Sequence, residues 1–251
     1  MAARQIKDQI NRVLRKFGYK ISRFEPGRDS LGDIQYFLEG EARPTIFDVG
    51  ANKGQSVDRF KAAFPASIIH SFEPSPSTYA ILTKHCQGLA DVQAWNYGVG
   101  SQPGTLPLLE NTDGEMTSFL EPGEFALEKG HVMQTTNVEV VTLDDFAAKH
   151  GIEFVHLLKV DTQGFEFEVF KGAQRLMREN KIALLYFEFN FTDMYKGQPA
   201  LHTVFDFLSA HNFMLVTFYR QFYQKRLLSW TDLLFVNRDF YHRRAERNPN
   251  W

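Results

Sequence analysis

The sequence contains one cysteine and no long hydrophobic run, and these absences exclude several classes of protein. Cys86 alone cannot form an intramolecular disulfide, and no group of Cys and His residues has the spacing of a structural zinc site. The longest apolar run, Ile182 to Phe187, has six residues, whereas a membrane-spanning helix needs roughly 20. Charges at Arg4 and Lys7 interrupt the first residues before a signal-peptide stretch can form. We therefore expect a cytoplasmic protein.

Clustered positive charge is also missing from most of the chain. Residues 1–28 carry eight Lys and Arg against two acidic residues, a net charge of +6, and residues 29–251 carry −8. Because binding to phosphates needs clustered cations, we expect no nucleic-acid partner for the main body. Aromatic residues, in contrast, are plentiful: the chain has 24 Phe among 251 residues, and its 43% hydrophobic content is that of a globular protein.

The basic first segment has a helical pattern. Ile6, Ile10, Val13, Leu14 and Phe17 recur at helical spacing among Lys and Arg residues, which predicts a short amphipathic helix over residues 4–17. Such a helix attaches to an anionic membrane surface, or it packs its apolar stripe on the domain or on a second subunit of a homodimer. Packing is the interpretation we favour, and peripheral membrane association stays the alternative.

From Pro44 onward, short apolar runs alternate with amphipathic stretches, which predicts an α/β fold with a mostly parallel sheet. The predicted strands are near 45–49, 67–72, 92–96, 155–160, 182–187, 213–220 and 230–236, and the predicted helices near 54–64, 78–85, 165–178 and 199–210. We expect a helical extension and connector over 1–43, a main domain over 44–240 and a tail over 241–251. Residues 98–142 interrupt the alternation and are interpreted as an insertion with extra short strands near the substrate.

The first predicted strand runs into a glycine turn and then a helix. Gly50 and Gly54 allow the backbone to turn tightly and approach a ligand, and Asp48 ends the strand with a carboxylate. This arrangement predicts a cofactor-binding loop. Asn52 stands where a dinucleotide fingerprint has its second glycine, which argues against NAD and FAD, and no Lys-Ser or Lys-Thr follows to make a Walker A loop.

Two further strand ends supply polar groups to the same edge of the predicted sheet. Glu73, followed by Pro74, ends the second strand, where an acidic side chain binds the ribose hydroxyls of a nucleoside. Asn96 and Tyr97 end the third strand and are predicted to contact the adenine, Asn96 through its amide and Tyr97 by stacking. The sequence therefore predicts an adenosine-containing cofactor.

Three motifs resemble those of the FkbM family of S-adenosylmethionine-dependent methyltransferases. They are residues 47–54 (Phe-Asp-Val-Gly-Ala-Asn-Lys-Gly), residues 72–76 (Phe-Glu-Pro-Ser-Pro) and residues 158–173, which begin Leu-Lys-Val-Asp. The resemblance covers about residues 44–237. It implies the class I, Rossmann-like methyltransferase fold, a seven-stranded sheet with helices on both faces and a final antiparallel strand.

The same resemblance implies O-methylation, commonly of sugar hydroxyls or of polyketide-derived metabolites, with S-adenosylmethionine as cofactor. It assigns the cofactor contacts, with the methionine end at the glycine loop and the ribose at Glu73; the full predicted set is Asp48, Gly50, Ala51, Asn52, Gly54, Glu73, Pro74, Asn96, Tyr97 and Asp161. The family's alanine after the third strand is replaced by Gly98, a departure that concerns only adenine packing.

Methyl transfer to an alcohol needs the hydroxyl in line with the methyl group and a base for its proton. Asp161 and Glu188, at the ends of the fourth and fifth strands, are the candidate bases, with His131 of the insertion as a third candidate. Asp161 can equally cap the helix that follows it. Asp161, Glu188 and Asn190 together could also form a divalent metal site like that of catechol-type methyltransferases.

Other polar residues near these motifs have a structural interpretation at least as good. Glu166 lies in a first helical turn, where the helix dipole favours an acid. Thr117 and Ser118 resemble a short hydroxyl motif of the family, and either contact with substrate or a turn explains them. The sequence thus predicts a methyltransferase for a hydroxylated small molecule or glycan. A protein or nitrogen acceptor and a non-enzymatic cofactor-binding module are the alternatives.

Overall fold

Strands form two sheets in the computed structural model, which describes residues 27–111, 117–127 and 133–247. In chain order the strands are β1 Thr45–Val49, β2 Ile68–Phe72, β3 Val92–Trp95, β4 Gly98–Val99, β5 Gly104–Asn111, β6 Met133–Val141, β7 Val155–Val160, β8 Ile182–Asn190, β9 Phe213–Gln224 and β10 Leu227–Asn237. The predicted helix at 4–17 and the candidate base His131 lie outside the described residues.

The larger sheet has seven strands in the order β3-β2-β1-β7-β8-β10-β9. Pairs among β3, β2, β1, β7 and β8 are parallel, and β10 is antiparallel to both of its neighbours. The fold class predicted from the sequence is confirmed, including the antiparallel strand near the chain end. The parallel strands place their carboxyl ends along one edge, where ligands bind in such sheets.

Helices cover both faces of this sheet. They are α1 Ser30–Phe37, α2 Gln55–Ala63, α3 Pro76–Cys86, α4 Glu124–Leu127, α5 Leu143–His150, α6 Glu166–Lys171, α7 Gln174–Arg178, α8 Leu201–Ala210 and α9 Arg238–Arg247. One core cluster joins the sheet to α5, α6, α7 and α8, and a second joins the other face to α1, α2, α3 and α9. No helix in the described ranges has the length and hydropathy to cross a membrane.

Phenylalanine fills the first of these clusters, which accounts for part of the high Phe content. Phe72 and Phe146 meet edge to face with ring centroids 4.8 Å apart, and Phe170 and Phe187 do the same at 4.9 Å. Edge-to-face pairs of buried rings stabilise a core beyond the area that they bury. The core beneath the sheet is therefore rich in aromatic side chains on this face.

The prediction of a single helix over 165–178 is wrong, because the helix is interrupted between α6 and α7. At Gly172 a Cβ atom would lie 2.1 Å from the carbonyl oxygen of Gly100, so the chain turns where the insertion presses against it. Asp144 then caps α7, accepting from the N–H groups of Arg175 at 2.7 Å and Leu176 at 3.0 Å.

Four of the described helices lie outside the ranges predicted as helical: α1, α4, α5 and α9, of which α4 lies inside the insertion. The helix α1 lies in the segment interpreted as extension and connector, yet Ile34 and Phe37 are buried in the second core cluster. The helix α5 follows the insertion, and α9 continues to residue 247, past residue 240 where a tail was expected. The domain boundaries at 43/44 and 240/241 stay predictions.

Residues 98–142 contribute extra strands, as expected. In the second sheet β6 pairs with β4 in parallel and with β5 in antiparallel orientation. The backbone of Ser118 bridges to Leu109 of β5, and its hydroxyl donates to the carbonyl of Gln163 at 2.7 Å. This bond joins the small sheet to the loop after β7.

Candidate functional site

A cavity of about 190 Å³ opens at the carboxyl ends of β1, β2 and β7. Its walls come from the glycine turn, the β2 end, the β7 end and the small sheet; they are Gly50, Asn52, Glu73, Pro74, Thr78, Leu108, Thr117, Ser118, Phe119, Asp161, Thr162 and Gln163. Five of the predicted cofactor-binding residues, Gly50, Asn52, Glu73, Pro74 and Asp161, therefore lie around one space.

The glycine turn brings its backbone against the end of β7. Gly50 has a φ of 74°, and a Cβ atom there would lie 1.8 Å from the carbonyl oxygen of Asp161. The N–H groups of Gly50 and Ala51 both donate to the carbonyl of Phe72 at 3.0 Å. At Gly54, φ is 101° and a Cβ atom would meet His85 at 2.6 Å. The turn thus depends on glycine at both positions.

Asp48 lies behind this turn, among the buried groups that hold it. Its side chain accepts from Ser56 Oγ at 2.5 Å and forms an ion pair with Lys159 Nζ at 3.1 Å. Lys159 also donates to the carbonyl of Gly50 at 2.8 Å. Burial disfavours the charge of Lys159, but Asp48 and Asp161 outweigh it and raise the pKa of Lys159 above its usual value. The ion pair of Asp48 and Lys159 therefore holds the backbone of the glycine turn at Gly50.

Glu73 is a buried carboxylate held by two backbone amides. Its Oε2 accepts from the N–H of Asn52 and its Oε1 from the N–H of Ser75, both at 3.0 Å. Burial raises the pKa of Glu73 to about 7, although the two amides and Lys159 favour the charged form. Each carboxylate oxygen retains a second lone pair, so the group can still accept from a ligand hydroxyl.

Asn96 and Tyr97 are not among the described residues that line the cavity. The amide nitrogen of Asn96 donates to the carbonyls of Glu73 at 2.9 Å and Pro74 at 3.0 Å, which fixes the loop that carries Glu73. Tyr97 stacks on Trp95 at 6.4 Å and packs against the first core cluster. Their predicted contacts with adenine stay a prediction, and Phe119 is the ring that lines the cavity.

Asp161 reaches the cavity with its side chain 43% exposed. Its Oδ1 accepts from Gln163 Nε2 at 2.9 Å, and its Oδ2 lies 3.7 Å from Lys159 Nζ. Both oxygens therefore have a positively polarised neighbour. Glu166 holds the loop that follows: its Oε1 accepts hydrogen bonds from the N–H groups of Thr162 at 2.9 Å and Gly164 at 3.2 Å.

Glu188 lies on the adjacent strand β8, away from the described cavity walls. Burial, reinforced by the charges of Asp161, Glu166 and Asp232, raises the pKa of Glu188 well above its usual range. Burial likewise raises the pKa of Glu166 to about 7. At neutral pH Glu188 therefore holds a proton, which makes it a poor acceptor of another.

The residues suggested for a divalent metal do not form a suitable set. The amide nitrogen of Asn190 approaches Glu188 Oε1 at 3.5 Å, so Asn190 directs a donor and not its carbonyl oxygen toward this carboxyl group. Within the described ranges, no cluster of three or more His, Cys, Asp and Glu side chains is placed to hold a metal ion.

Several contributors to the site were not predicted from the sequence. Leu108 and Phe119 line the cavity from the insertion, and Gln163 connects Asp161 to the rest of the loop. Ser118, for which substrate contact and a turn role were both open, is 1% exposed and holds the backbone of Gln163. Its hydroxyl also accepts from the N–H of Leu120 at 3.0 Å, so the turn role is the one that its contacts support.

The strand order, with its antiparallel β10 and a cavity at the strand ends, is that of the Rossmann-like methyltransferase fold. A sequence profile described as "Methyltransferase FkbM domain" matches residues 48–215, two thirds of the chain. The chain belongs to this family, and we conclude that it is an S-adenosylmethionine-dependent methyltransferase.

Curated relatives carry related names. The 2-O-methyltransferase NoeI of Sinorhizobium fredii is 26% identical over 176 residues, covering 66% of this chain and 72% of that protein. Methyltransferase sdnD of Sordaria araneosa is 32% identical over 158 residues, 53% of this chain and 61% of its own. The hexuronic acid methyltransferase AglP of Haloferax volcanii is 26% identical over 159 residues, 60% of each. The chain thus spans about three fifths of sdnD and of AglP.

Solved structures align at the level of overall shape. An rRNA methylase from Streptococcus thermophilus aligns over 83% of this chain and 93% of that one, with a TM-score of 0.48 and 7% identity. Magnesium protoporphyrin IX methyltransferase from Synechocystis aligns over 83% and 78%, with a TM-score of 0.47 and 10% identity. The family assignment is carried by the sequence match.

Proposed function

We propose that this chain is an O-methyltransferase that acts on a hydroxyl group of a carbohydrate or another hydroxylated metabolite. One observation carries the proposal: the carboxylate of Asp161 lines the same cavity as the glycine turn and Glu73. The names of NoeI and AglP point in the same direction. A base beside a cofactor cavity is what transfer to an alcohol requires.

The residues of the cavity fit the cofactor. Gly50 leaves its backbone free of a side chain, Glu73 offers buried acceptor oxygens for ribose hydroxyls, and Asn52 Oδ1 is buried with no hydrogen-bond partner among the described residues. A buried oxygen without a partner is costly unless a ligand supplies a donor. When bound, S-adenosylmethionine supplies an electrophilic methyl group on a sulfonium centre.

Asp161 is the proposed general base. With the cofactor bound, Asp161 would accept the hydroxyl proton of the acceptor, and the cofactor would supply the methyl group to the acceptor oxygen and keep the bonding electron pair on its sulfur. Glu188 is the weaker candidate, because its raised pKa keeps it protonated at neutral pH. His131 remains a candidate from the sequence alone.

The experiment combines binding and transfer. Calorimetry with S-adenosylhomocysteine measures cofactor binding, and radiolabelled S-adenosylmethionine measures transfer to neutral methyl glycosides, uronic acid glycosides, catechol and bulk protein. We expect Asp161→Asn to bind S-adenosylhomocysteine as the wild type does and to lose roughly 10²–10⁴-fold in rate. Exposed Asp206, changed to Asn, is the matched control. Transfer to protein alone would overturn the acceptor class, and a full-rate Asp161→Asn variant would overturn the base.

We propose that the reaction needs no divalent metal. Activity should then resist a chelator, and loss of activity that Mg²⁺ restores would contradict this. A cytoplasmic location is supported by the single, buried Cys86.

For residues 4–17 we propose packing or dimer contact, so deletion of residues 1–20 should lower thermal stability or change the oligomeric state. Sedimentation with anionic vesicles at unchanged stability would favour the membrane instead.

A further inference from the structure

Gln163 is a polar residue at the centre of the loop after β7 that the proposed reaction does not yet use. Its backbone lies in the left-handed region with a φ of 55°, which is unfavourable for any residue with a Cβ atom. Glycine would relax this position. A long carboxamide here is explained by what the side chain contacts.

The side-chain amide and the backbone carbonyl of Gln163 both form hydrogen bonds to residues beside the cavity. Its Nε2 donates to Asp161 Oδ1 at 2.9 Å, and its Oε1 accepts from the Tyr195 hydroxyl at 2.7 Å. Its carbonyl accepts from Ser118 Oγ at 2.7 Å. The carboxamide therefore has one favoured orientation, because a flip would place its oxygen against the Asp161 carboxylate, which accepts hydrogen bonds but donates none.

Tyr195 is itself fixed. It is 2% exposed, and a Cβ atom at Gly164 would lie 2.7 Å from its ring. The backbone N–H of Gly123 donates to the carbonyl of Met194, and that of Lys196 donates to the carbonyl of Glu121, so the Tyr195 segment is joined to the part of the insertion that follows Ser118. The chain of contacts runs from this buried hydroxyl through Gln163 to the one carboxylate of the β7 end that faces the cavity.

We propose that Gln163 is a positioning residue that holds Asp161 in the conformer needed to accept the hydroxyl proton, with Tyr195 acting through it. This inference rests on the proposed role of Asp161. Gln163 orients one carboxylate oxygen, and Lys159 lies beside the other. A loose carboxylate would spend most of its time away from the acceptor hydroxyl, and small displacements of catalytic groups are costly in rate.

The test is a double-mutant cycle on the wild-type chain, with the best methyl glycoside of the panel as acceptor. Gln163→Met keeps the length of the side chain and removes both of its hydrogen bonds; we expect kcat to fall roughly 10–100-fold at an unchanged KM for S-adenosylmethionine. Tyr195→Phe should lower kcat about 3–10-fold. The double variant should be no slower than Gln163→Met, since Tyr195 acts through Gln163.

Two further measurements separate positioning from a merely structural role. In an Asp161→Asn background, Gln163→Met should cause no additional loss of kcat, and the affinity for S-adenosylhomocysteine should stay the same in every variant. Gln93→Met, at an exposed site on β3, is the control. Additive losses in the cycle, or a Gln163→Met variant of normal kcat, would overturn the inference.

If the wild type transfers methyl to no member of the panel, the proposed acceptor class fails and the inference is still decided. The ¹³C carboxyl signal of Asp161 is then recorded at one pH with S-adenosylhomocysteine bound. We expect Gln163→Met and Tyr195→Phe to change its chemical shift or its line width, and Gln93→Met to leave both unchanged. Identical signals in all four proteins would contradict the proposal.

Discussion

At the scale of single residues, the carboxylate of Glu73 makes a prediction about pH. Burial raises its pKa from 4.5 to about 7 in the free protein, whereas ribose hydroxyls that donate to it favour the charged form. Binding must then release a proton below pH 7, so we expect affinity for S-adenosylhomocysteine to fall up to about tenfold per pH unit below 7 and to level off above it.

Calorimetry from pH 5.5 to 8.5 measures this slope, and Glu73→Gln should flatten it. Glu73→Ala should also weaken binding by about 1–3 kcal/mol at pH 8, because charge-assisted hydrogen bonds are lost. Exposed Glu153, changed to Gln, is the control. The same slope in Glu73→Gln as in the wild type would assign the proton to another group.

A second prediction for single residues compares Gly50 and Gly151, two glycines that both have a positive φ angle. A Cβ atom at Gly50 would overlap the Asp161 carbonyl at 1.8 Å, whereas at Gly151, with φ 64°, it would meet no atom within 4 Å. We expect Gly151→Ala to lower the free energy of unfolding by about 1–2 kcal/mol, the cost of the left-handed backbone. Gly50→Ala should lower it by about 2–4 kcal/mol.

Urea unfolding measures both changes, and binding of S-adenosylhomocysteine separates them further. Gly50→Ala should lose measurable binding, because the turn and Asp161 must move apart, whereas Gly151→Ala should bind as the wild type does. Equal destabilisation in the two variants would mean that the close approach at Gly50 relaxes without cost.

At the scale of helices and strands, the local sequence pattern predicted the features that depend on neighbouring residues alone. β1 and β7 match their predicted bounds, because each is a short, mostly apolar segment rich in β-branched residues that ends at a turn containing glycine. The break at Gly172 and the contacts of Gln163 could not be predicted this way. Ser118 and Tyr195 are 45 and 32 residues from Gln163 in sequence, and only the folded chain brings them together.

The cap of α7 gives the element-scale prediction. Asp144 accepts from two N–H groups of α7, those of Arg175 and Leu176, across a separation of 31 and 32 residues. Asp144→Ala should lower the free energy of unfolding by about 1–2 kcal/mol, as loss of a helix cap does. Asp206→Ala, at an exposed position within α8, should change it by less than about 0.5 kcal/mol.

Urea unfolding of the two variants checks this, and affinity for S-adenosylhomocysteine should stay unchanged in both because the cap does not line the cavity. A destabilisation of Asp144→Ala no larger than that of Asp206→Ala would show that the break between α6 and α7 is held by packing alone.

At the scale of the whole molecule, buried carboxyl groups and buried imidazoles act on stability in opposite directions. Burial raises the pKa values of Glu73, Glu166 and Glu188, so the folded protein binds more protons than the unfolded chain above pH 4.5, and stability falls as pH rises through this range. Burial lowers the pKa of His70 to about 4, which makes stability rise between pH 4 and 6.5. The wild-type profile therefore mixes both effects.

The last prediction isolates one of them by comparing Glu188→Gln with the wild type at each pH. A neutral amide removes the cost of keeping a buried carboxyl protonated beside Asp161 and Asp232 while the unfolded chain ionises it. That cost begins near the unfolded pKa of 4.5, is still small at pH 5 and grows with rising pH. We expect the two proteins to unfold at similar urea concentrations at pH 5 and the variant to be more stable by on the order of 2 kcal/mol at pH 8.5. Glu153→Gln, at an exposed site, should show no such divergence. A constant difference across the pH range would mean that Glu188 is already ionised at pH 5, and the argument against it as the general base would then be lost.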